Sequence, residues 1–571
     1  MVMSGSYSTR ALSLPVSVMV LAALCLGCAN VEVTQYHDRG ALATAAPIAT
    51  AVGEGVFAEG GNAFDVAVAV GFTLAVVHPQ AGNIGGGGFA VVRDGSSGAI
   101  EALDFREKAP SAAHETMYQD STGQVIEGLS TVGALASGVP GTVAGLYELW
   151  SRHGSLAWEE LVGVAASLAD TGFVVDDYLA RSLNDYKLEL TEFEPTARQF
   201  FPDGRQWQAG DRLIQSDLAK TLYSIAAGGK DGFYTGTVAE YIEQTMASFG
   251  GVITAEDLLA YEVIWRDPIH FRFDSLDIYS MPPPSSGGVH LGQILKLLEP
   301  YDFSRFTANS PGYIHLFCEA SRLAFADRSE HLADPDFHDV PVARLLDGDY
   351  IALRRALISP EHASSSGEVG PGLTASPESD QTTHYSVCDR DGNMVAVTYT
   401  LNASYGSKLV VEGAGFLLNN EMDDFSVKPG VPNLYGLVGA AANRIEPNKR
   451  MLSSMSPTLV MCHDRPMLVL GAPGGGKIIT VVAQAILNFT RFKMSPLETV
   501  RQPRVHHQWL PDVLYLEQGQ FSIDVKQTLI RYGHTIEERD PYSDLQLLHI
   551  ETDGLMTGAS DPRGRGTVGG Y

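Results

Sequence analysis

Cysteine is scarce, with five in 571 residues. Cys25 and Cys28 lie in an apolar N-terminal run, and Cys318, Cys388 and Cys462 are isolated from one another, so they read as buried free thiols. Beyond the first 28 residues no CxxC occurs, and HExxH is absent throughout. His506 and His507 are adjacent, without ligand spacing, and read as structural. No metal and no cofactor is therefore expected. Basic residues are also few: 39 Lys and Arg stand against 67 Asp and Glu, a formal charge of -28. Nucleic-acid binding needs a basic face that displaces counterions, and no basic stretch offers one. An anionic membrane surface would repel the same body. There is no internal repeat of solenoid period.

The residues that are present describe a large exported globular protein. Hydrophobic residues make up 45% and charged residues 19%, enough for a sizeable core and several domains. Arg10 followed by ALSLPVSVMVLAALCLGC reads as a signal peptide over residues 1–28: a positive residue, an apolar stretch, then small residues. Leu26-Gly27-Cys28 also resembles a bacterial lipoprotein cleavage site, which would put a lipid anchor on Cys28, although Cys25 stands where that pattern prefers Leu. The expected location is the periplasm. Asn62, with Asp65 three residues on, predicts the capped start of a helix through VAVAVGFTLAVV, too short for a membrane span. AGNIGGGGFAVV reads as a Gly-rich turn entering a strand, and IEALDFRE as a second strand. Residues 150–350 read as mainly helical.

The composition changes abruptly at 361–381, EHASSSGEVGPGLTASPESDQ, where apolar residues nearly vanish, as in a surface linker. TTHYSVCD, RDGN and MVAVTYTLN follow, two strands around a turn. With the turn centred near Asp391, Thr382 and Thr400 are each nine residues away and face each other across the pair. Thr–Thr pairs are common in sheets, so this facing alone carries little.

The sequence from Gln381 to Val387 (QTTHYSV), followed by Thr400-Leu401-Asn402, resembles the γ-glutamyltranspeptidase family. GGNAFDVAVAV, GNIGGGGF, DFREKAP, GVPGTVAGL, PPPSSGG and AFADR carry the resemblance upstream. LLNNEMDDFS, LSSMSP, APGGG, PRVHHQWLPD and GASDPR carry it downstream, in the family's order. The resemblance implies an α/β (α+β) fold, an αββα four-layer sandwich of the N-terminal-nucleophile hydrolase class. It implies one chain cut between Gln381 and Thr382 into residues 29–381, a large subunit, and 382–571, a small catalytic one, which remain a heterodimer in one interlocked body.

The implied activity is that of a γ-glutamyltransferase and glutathione hydrolase. Thr382 would take the γ-glutamyl group from glutathione or another γ-glutamyl compound and pass it to water, an amino acid or a peptide. A threonine hydroxyl needs a base, and the α-amine that the cut exposes has an ordinary pKa of about 7.7–8.0. Carried over residue by residue, Thr400 would tune the Thr382 hydroxyl and Thr383 would help orient the new N-terminus. Gly474 and Gly475 would form the oxyanion hole. Arg106, Ser453 and Ser454 would hold the α-carboxylate, and Asn402, Glu421 and Asp424 the α-ammonium. Tyr435 matches a lid aromatic. On composition alone Arg106 would be a surface ion pair, the serines ordinary turn residues and the acids a solvated loop.

Two stretches depart from the family pattern: Gly476-Lys477, where Ser-Arg is usual, and PYSDLQLL at 541–548, where a Gly-rich strand start is common. Gly471 to Lys477 also satisfies G-x-x-x-x-G-K, but Ile478 stands where a phosphate-binding loop needs Ser or Thr for Mg²⁺. The closest rival reading is a related self-cleaving amidase, cephalosporin-acylase-like, with another acyl substrate. A non-catalytic binding protein on the same fold is the other.

Overall fold

The computed structural model describes residues 35–369 and 382–571, apart from Pro429, Pro432, Tyr435, Gly436 and residues 438–440. The leader, Cys28, most of the linker, Gln381 and Tyr435 lie outside the described residues. Two antiparallel sheets form the centre. The first has seven strands in the spatial order Thr567–Gly570, Gly40–Thr44, Thr383–Asp389, Met394–Thr400, Gly87–Arg93, Ile100–Phe105 and Ile264–Arg266. The second has six: Met556–Ser560, Gln546–Ile550, Arg465–Gly471, Thr458–Cys462, Leu276–Ser280 and Ile269–Phe273. Both sheets draw strands from either side of the linker.

Side-chain alternation turns the sheets into layers. Leu42, Val92, Leu103, Val387, Val395 and Val397 face one way and join a core with the helices Ala63–Val77 and Trp158–Thr171. Their neighbours Ala41, Ala43, Phe89, Val91, Cys388 and Ala396 face the other way and meet the second sheet. Beyond that sheet lie the helices Gly287–Leu298, Pro311–His331 and Lys477–Thr490. The order is helix, sheet, sheet, helix, the αββα sandwich.

The helix Ala63–Val77 is buried along its whole length, and its start is capped as the sequence indicates. Asn62 Oδ1 accepts from the amides of Phe64 and Asp65, and Asp65 Oδ2 accepts from the Asn62 amide at 2.9 Å. Such a cap contributes about 1 kcal/mol. The amide of Ala63 also donates to Asp389 Oδ2 at 2.9 Å, while Asp389 Oδ1 accepts from Asp391 and Asn393. One carboxylate thus shapes the hairpin turn and ties it to the buried helix.

Residues 150–350 are not helical throughout. Ile264–Arg266, Ile269–Phe273 and Leu276–Ser280 are strands, and Ile269–Phe273 alternates buried and exposed as an edge strand does. These strands are short, and the long helices on both sides dominate the periodicity of the stretch. Of the linker, Ser366–Val369 is a single helical turn. Among the described residues no helix is long and apolar enough to cross a membrane.

Candidate active site

The hairpin register places the two threonines. Met394 pairs with Cys388 and Tyr399 with Thr383, so the next step sets Thr400 opposite Thr382, as the turn arithmetic predicts. Thr382, His384 and Ser386 share one parity. The His384 ring packs on Gly471 of the facing sheet, where a Cβ would come within 2.3 Å of it. Thr382 and Thr400 therefore sit at the mouth of the gap between the sheets, both buried. Thr400 Oγ1 accepts the Asn402 amide at 2.8 Å, and Asn402, at φ 77, turns the chain away from the strand.

The facing sheet supplies the glycines. After the strand Arg465–Gly471 the chain turns through Ala472-Pro473-Gly474-Gly475-Gly476 into the helix Lys477–Thr490. Gly474 has φ 123 and Gly475 φ 53, conformations that favour glycine. Lys477 N donates to Gly474 O at 3.0 Å and Ile478 N to Gly475 O at 3.2 Å. The Gly474 and Gly475 amides donate to no other group among the described residues. They sit at a helix N-terminus, where backbone N–H groups and the helix dipole favour negative charge.

A charged wall closes the pocket. Arg106, at the end of the strand Ile100–Phe105, is fully buried. Its guanidinium lies 2.7 Å from Glu421 Oε2 and 2.6 Å from Asp424 Oδ2, with Glu107 at 3.6 Å. Glu421–Asp424 is one 3₁₀ turn, in which residues three apart eclipse, so both acids face the arginine. Burial works against the Arg106 charge, but Glu421, Glu107 and Asp424 outweigh it and raise its pKa. Burial pushes the Glu421 carboxyl well above its ordinary range against the opposing pull of Arg106, and Glu107 and Asp424 push it the same way. Burial likewise raises Asp424 and lifts Glu107 to about 7. Asp423 points elsewhere, accepting from Ser130 Oγ and Leu434 N at 2.6 Å each.

Ser453 and Ser454 complete the wall. Ser453 is anchored by its amide to Pro284 O at 2.8 Å, in the Pro-rich turn before the helix Gly287–Leu298. Thr382, Thr400, Asn402, Arg106, Glu421, Asp424, Ser453, Ser454 and Gly475 all line one pocket, whose remaining space is about 20 Å³, room for about one water. Gly474 lies one residue back from it. Thr383 starts its strand with the opposite parity to Thr382.

Arg328 is the residue that sequence reading missed. It ends the AFADR segment on the helix Pro311–His331 and is buried. It lines the same pocket and donates to Ser454 Oγ at 3.1 Å and Ser286 Oγ at 2.9 Å. Its place in AFADR, one of the segments that carry the family resemblance, was the available signal. Asn433, whose amide donates to Asp424 Oδ1 at 2.9 Å, left no signal in its loop.

His506 and His507 lie away from the pocket. His506 bonds Thr480 Oγ1 and Gln508 Oε1, each at 2.8 Å, and His507 lies 3.3 Å from Asp512. Burial lowers both, to about 3 and about 4, so both are neutral. Lys477 directs its ammonium over the Tyr542 ring, 4.7 Å from the centroid.

A family model described as Gamma-glutamyltranspeptidase matches residues 49–571. The glutathione hydrolase proenzyme of Escherichia coli K12 is 47% identical over 539 residues, covering 94% of this chain and 93% of its own. The crystal structure of cephalosporin acylase from Bacillus halodurans superposes with a TM-score of 0.84 at 26% identity, over 96% of this chain and 98% of that one. The Helicobacter pylori γ-glutamyltranspeptidase structure is 42% identical with a TM-score of 0.57, over 61% of this chain and 97% of that one.

Proposed function

The chain belongs to the γ-glutamyltranspeptidase family, and on that premise we propose that it is a γ-glutamyltransferase and glutathione hydrolase that cuts itself before Thr382. The observation that carries this reading is one pocket holding a hairpin-start threonine beside a buried Arg–Glu–Asp cluster, paired serines and Gly475.

In the cutting step the Thr382 hydroxyl attacks the Gln381 carbonyl. The peptide nitrogen leaves with a proton and becomes the α-amine, and water then hydrolyses the ester. In turnover that amine takes the hydroxyl proton as the hydroxyl attacks the γ-amide carbon. The proton passes to the departing amine, and water or an amino acid releases the γ-glutamyl group. Gly474 and Gly475 donate to the tetrahedral oxygen. A hole of two such donors is worth on the order of 10² to 10³ in rate per donor.

The charged wall suits a zwitterion. An α-carboxylate meets Arg106, Ser453 and Ser454, with Arg328 behind Ser454. An α-ammonium meets Asn402, Glu421 and Asp424. Both poles of the wall are already paired with each other, so the substrate exchanges protein ion pairs for its own at little net electrostatic cost. The Helicobacter pylori chain, which spans 61% of this one and is itself covered to 97%, supports a chain divided into fragments. The cephalosporin acylase likeness keeps a second acyl substrate as the rival, which the amino-acid-shaped wall disfavours.

Intact mass of the purified protein beside Thr382→Ala, with turnover of γ-glutamyl-p-nitroanilide, tests the reading. Two fragments meeting at 381/382, activity in the parent, and one inactive chain in the variant are expected. An uncut, inactive parent sinks the proposal; a cut parent that hydrolyses only other acyl amides selects the rival. Export to the periplasm and lipidation of Cys28 are proposed from the leader alone. Release of a Cys28→Ser variant from membranes that retain the parent would support the anchor.

A further inference from the structure

The two stretches that depart from the family pattern, 476–477 and 541–548, meet in space around the glycine turn. Ser543 Oγ donates to Pro473 O at 2.6 Å. A Cβ built on Gly474 would lie 3.7 Å from the side chains of both Ser543 and Lys477, so these two flank that glycine. The Lys477 ammonium sits over Tyr542, the residue before Ser543. Ser543 itself holds φ 70, a left-handed conformation that costs a non-glycine residue on the order of 1 kcal/mol or more and persists only where its surroundings impose it.

Peptide planarity gives this contact a consequence. The carbonyl of one residue and the amide of the next share a rigid plane and point in opposite directions, so fixing the carbonyl aims the N–H. Gly474 O accepts from Lys477 N, one turn along the same helix start, and that bond fixes the Gly474–Gly475 plane and the Gly475 N–H. Among the described residues the Pro473–Gly474 plane has no such local backbone partner. Its carbonyl is held by Ser543, 70 residues away in sequence. One donor of the hole is thus aimed by the helix that follows it, and the other by a distant hydroxyl.

We propose that Ser543, seated by the Tyr542–Lys477 contact, is a positioning residue of the oxyanion hole: its bond to Pro473 O aims the Gly474 N–H at the oxygen that becomes negative when Thr382 attacks. The inference rests on the glycine pair acting as the donors in the function proposed above. It assigns a joint role to two stretches that otherwise look like unrelated departures. It also explains why a strained serine is kept where glycine would relieve the backbone: glycine has no hydroxyl.

The test compares Ser543→Ala and Ser543→Gly with the parent on γ-glutamyl-p-nitroanilide, turnover being normalised to the fraction of chain cut before Thr382. Alanine removes the hydroxyl and keeps the strain, whereas glycine removes both. A misaimed donor keeps part of its worth, so kcat is expected to fall about tenfold in both variants, below the full loss of a donor. KM should stay within about twofold, because the carboxylate and ammonium contacts are untouched. A parent-like kcat in both variants overturns the proposal. So does recovery in Ser543→Gly alone, which would make the residue a matter of backbone strain, or a rise in KM without loss of kcat. A parent that is cut yet turns over no γ-glutamyl amide is a different failure: it removes the proposed function itself, and the positioning role with it.

Discussion

Thr382 and Thr400 are placed by a hydrogen-bonded ladder, whereas Arg106, Glu421, Asp424, Ser453 and Ser454 are placed by loops from separate parts of the chain. The ladder repeats every two residues, so counting from the turn is enough to bring the hydroxyls together. The loops have no period. Glu421 and Asp424 are held by one buried arginine whose charge they balance, while Ser453 is anchored to Pro284 and Ser454 accepts from Arg328. Breaking such a pair from one side costs about 3–5 kcal/mol, because a charge is left buried without compensation. On the proposed roles, the nucleophile thus rests on regular backbone, while the charged groups that would hold the substrate rest on mutual neutralisation.

Substitutions on the two walls should therefore fail differently. The largest effect belongs to Thr382→Ala, which should lower turnover at least about 10³-fold, since a nucleophile has no substitute. The fold should stay the parent's, because the ladder does not need the hydroxyl. Arg106→Ala comes next: KM for γ-glutamyl amides should rise about 10²-fold, with a lower melting temperature. Arg106→Lys should recover only part, because an ammonium lacks the fork that spans two partners. An Arg106→Ala enzyme with parental KM would break the comparison. Thr400→Val removes one hydroxyl on the strand wall and should cut kcat about five- to tenfold, the worth of about 1 kcal/mol, with KM unchanged. If KM moved instead, the two walls would not be separable.

The remaining prediction concerns stability rather than turnover. Burial lifts Asp423 to about 6 from an ordinary value near 4. The folded state then holds its proton more tightly than the unfolded chain does. Its contribution is fully present below about pH 4 and is lost as pH rises through about 6, amounting to roughly 3 kcal/mol. Asp423→Asn cannot titrate, so the melting temperature of the variant minus that of the parent should climb between about pH 4 and pH 6. A flat difference would show that the loop carrying the charged wall opens before this carboxyl is deprotonated.

Where the sequence was legible, a local rule was at work. The capped buried helix after Asn62, the hairpin and the facing of Thr382 and Thr400 follow from period, turn residues and counting. The Gly-rich turn that enters the strand Gly87–Arg93 also reads directly. The αββα order, the oxyanion glycines and the charged wall came from the resemblance, since nothing local separates Glu421 and Asp424 from Asp423 in NNEMDDFS. The structure separates them by direction: the 3₁₀ turn aims two acids at Arg106 and sends the third to Ser130 and Leu434. The strands at 264–280 were hidden by the long helices around them.

The sequence by itself determined the capped helix, the hairpin with its register and the residue types the chemistry needs, because these depend on neighbours a few positions apart. Only the tertiary structure decided that Arg328 reaches the same pocket and that Ser543 holds Pro473 from 70 residues away. It also decided which two carboxyls of NNEMDDFS face the guanidinium. Those outcomes depend on which loops the two packed sheets bring to one mouth. Packing, burial and charge balance select among chemically equivalent side chains only once the chain has closed around them.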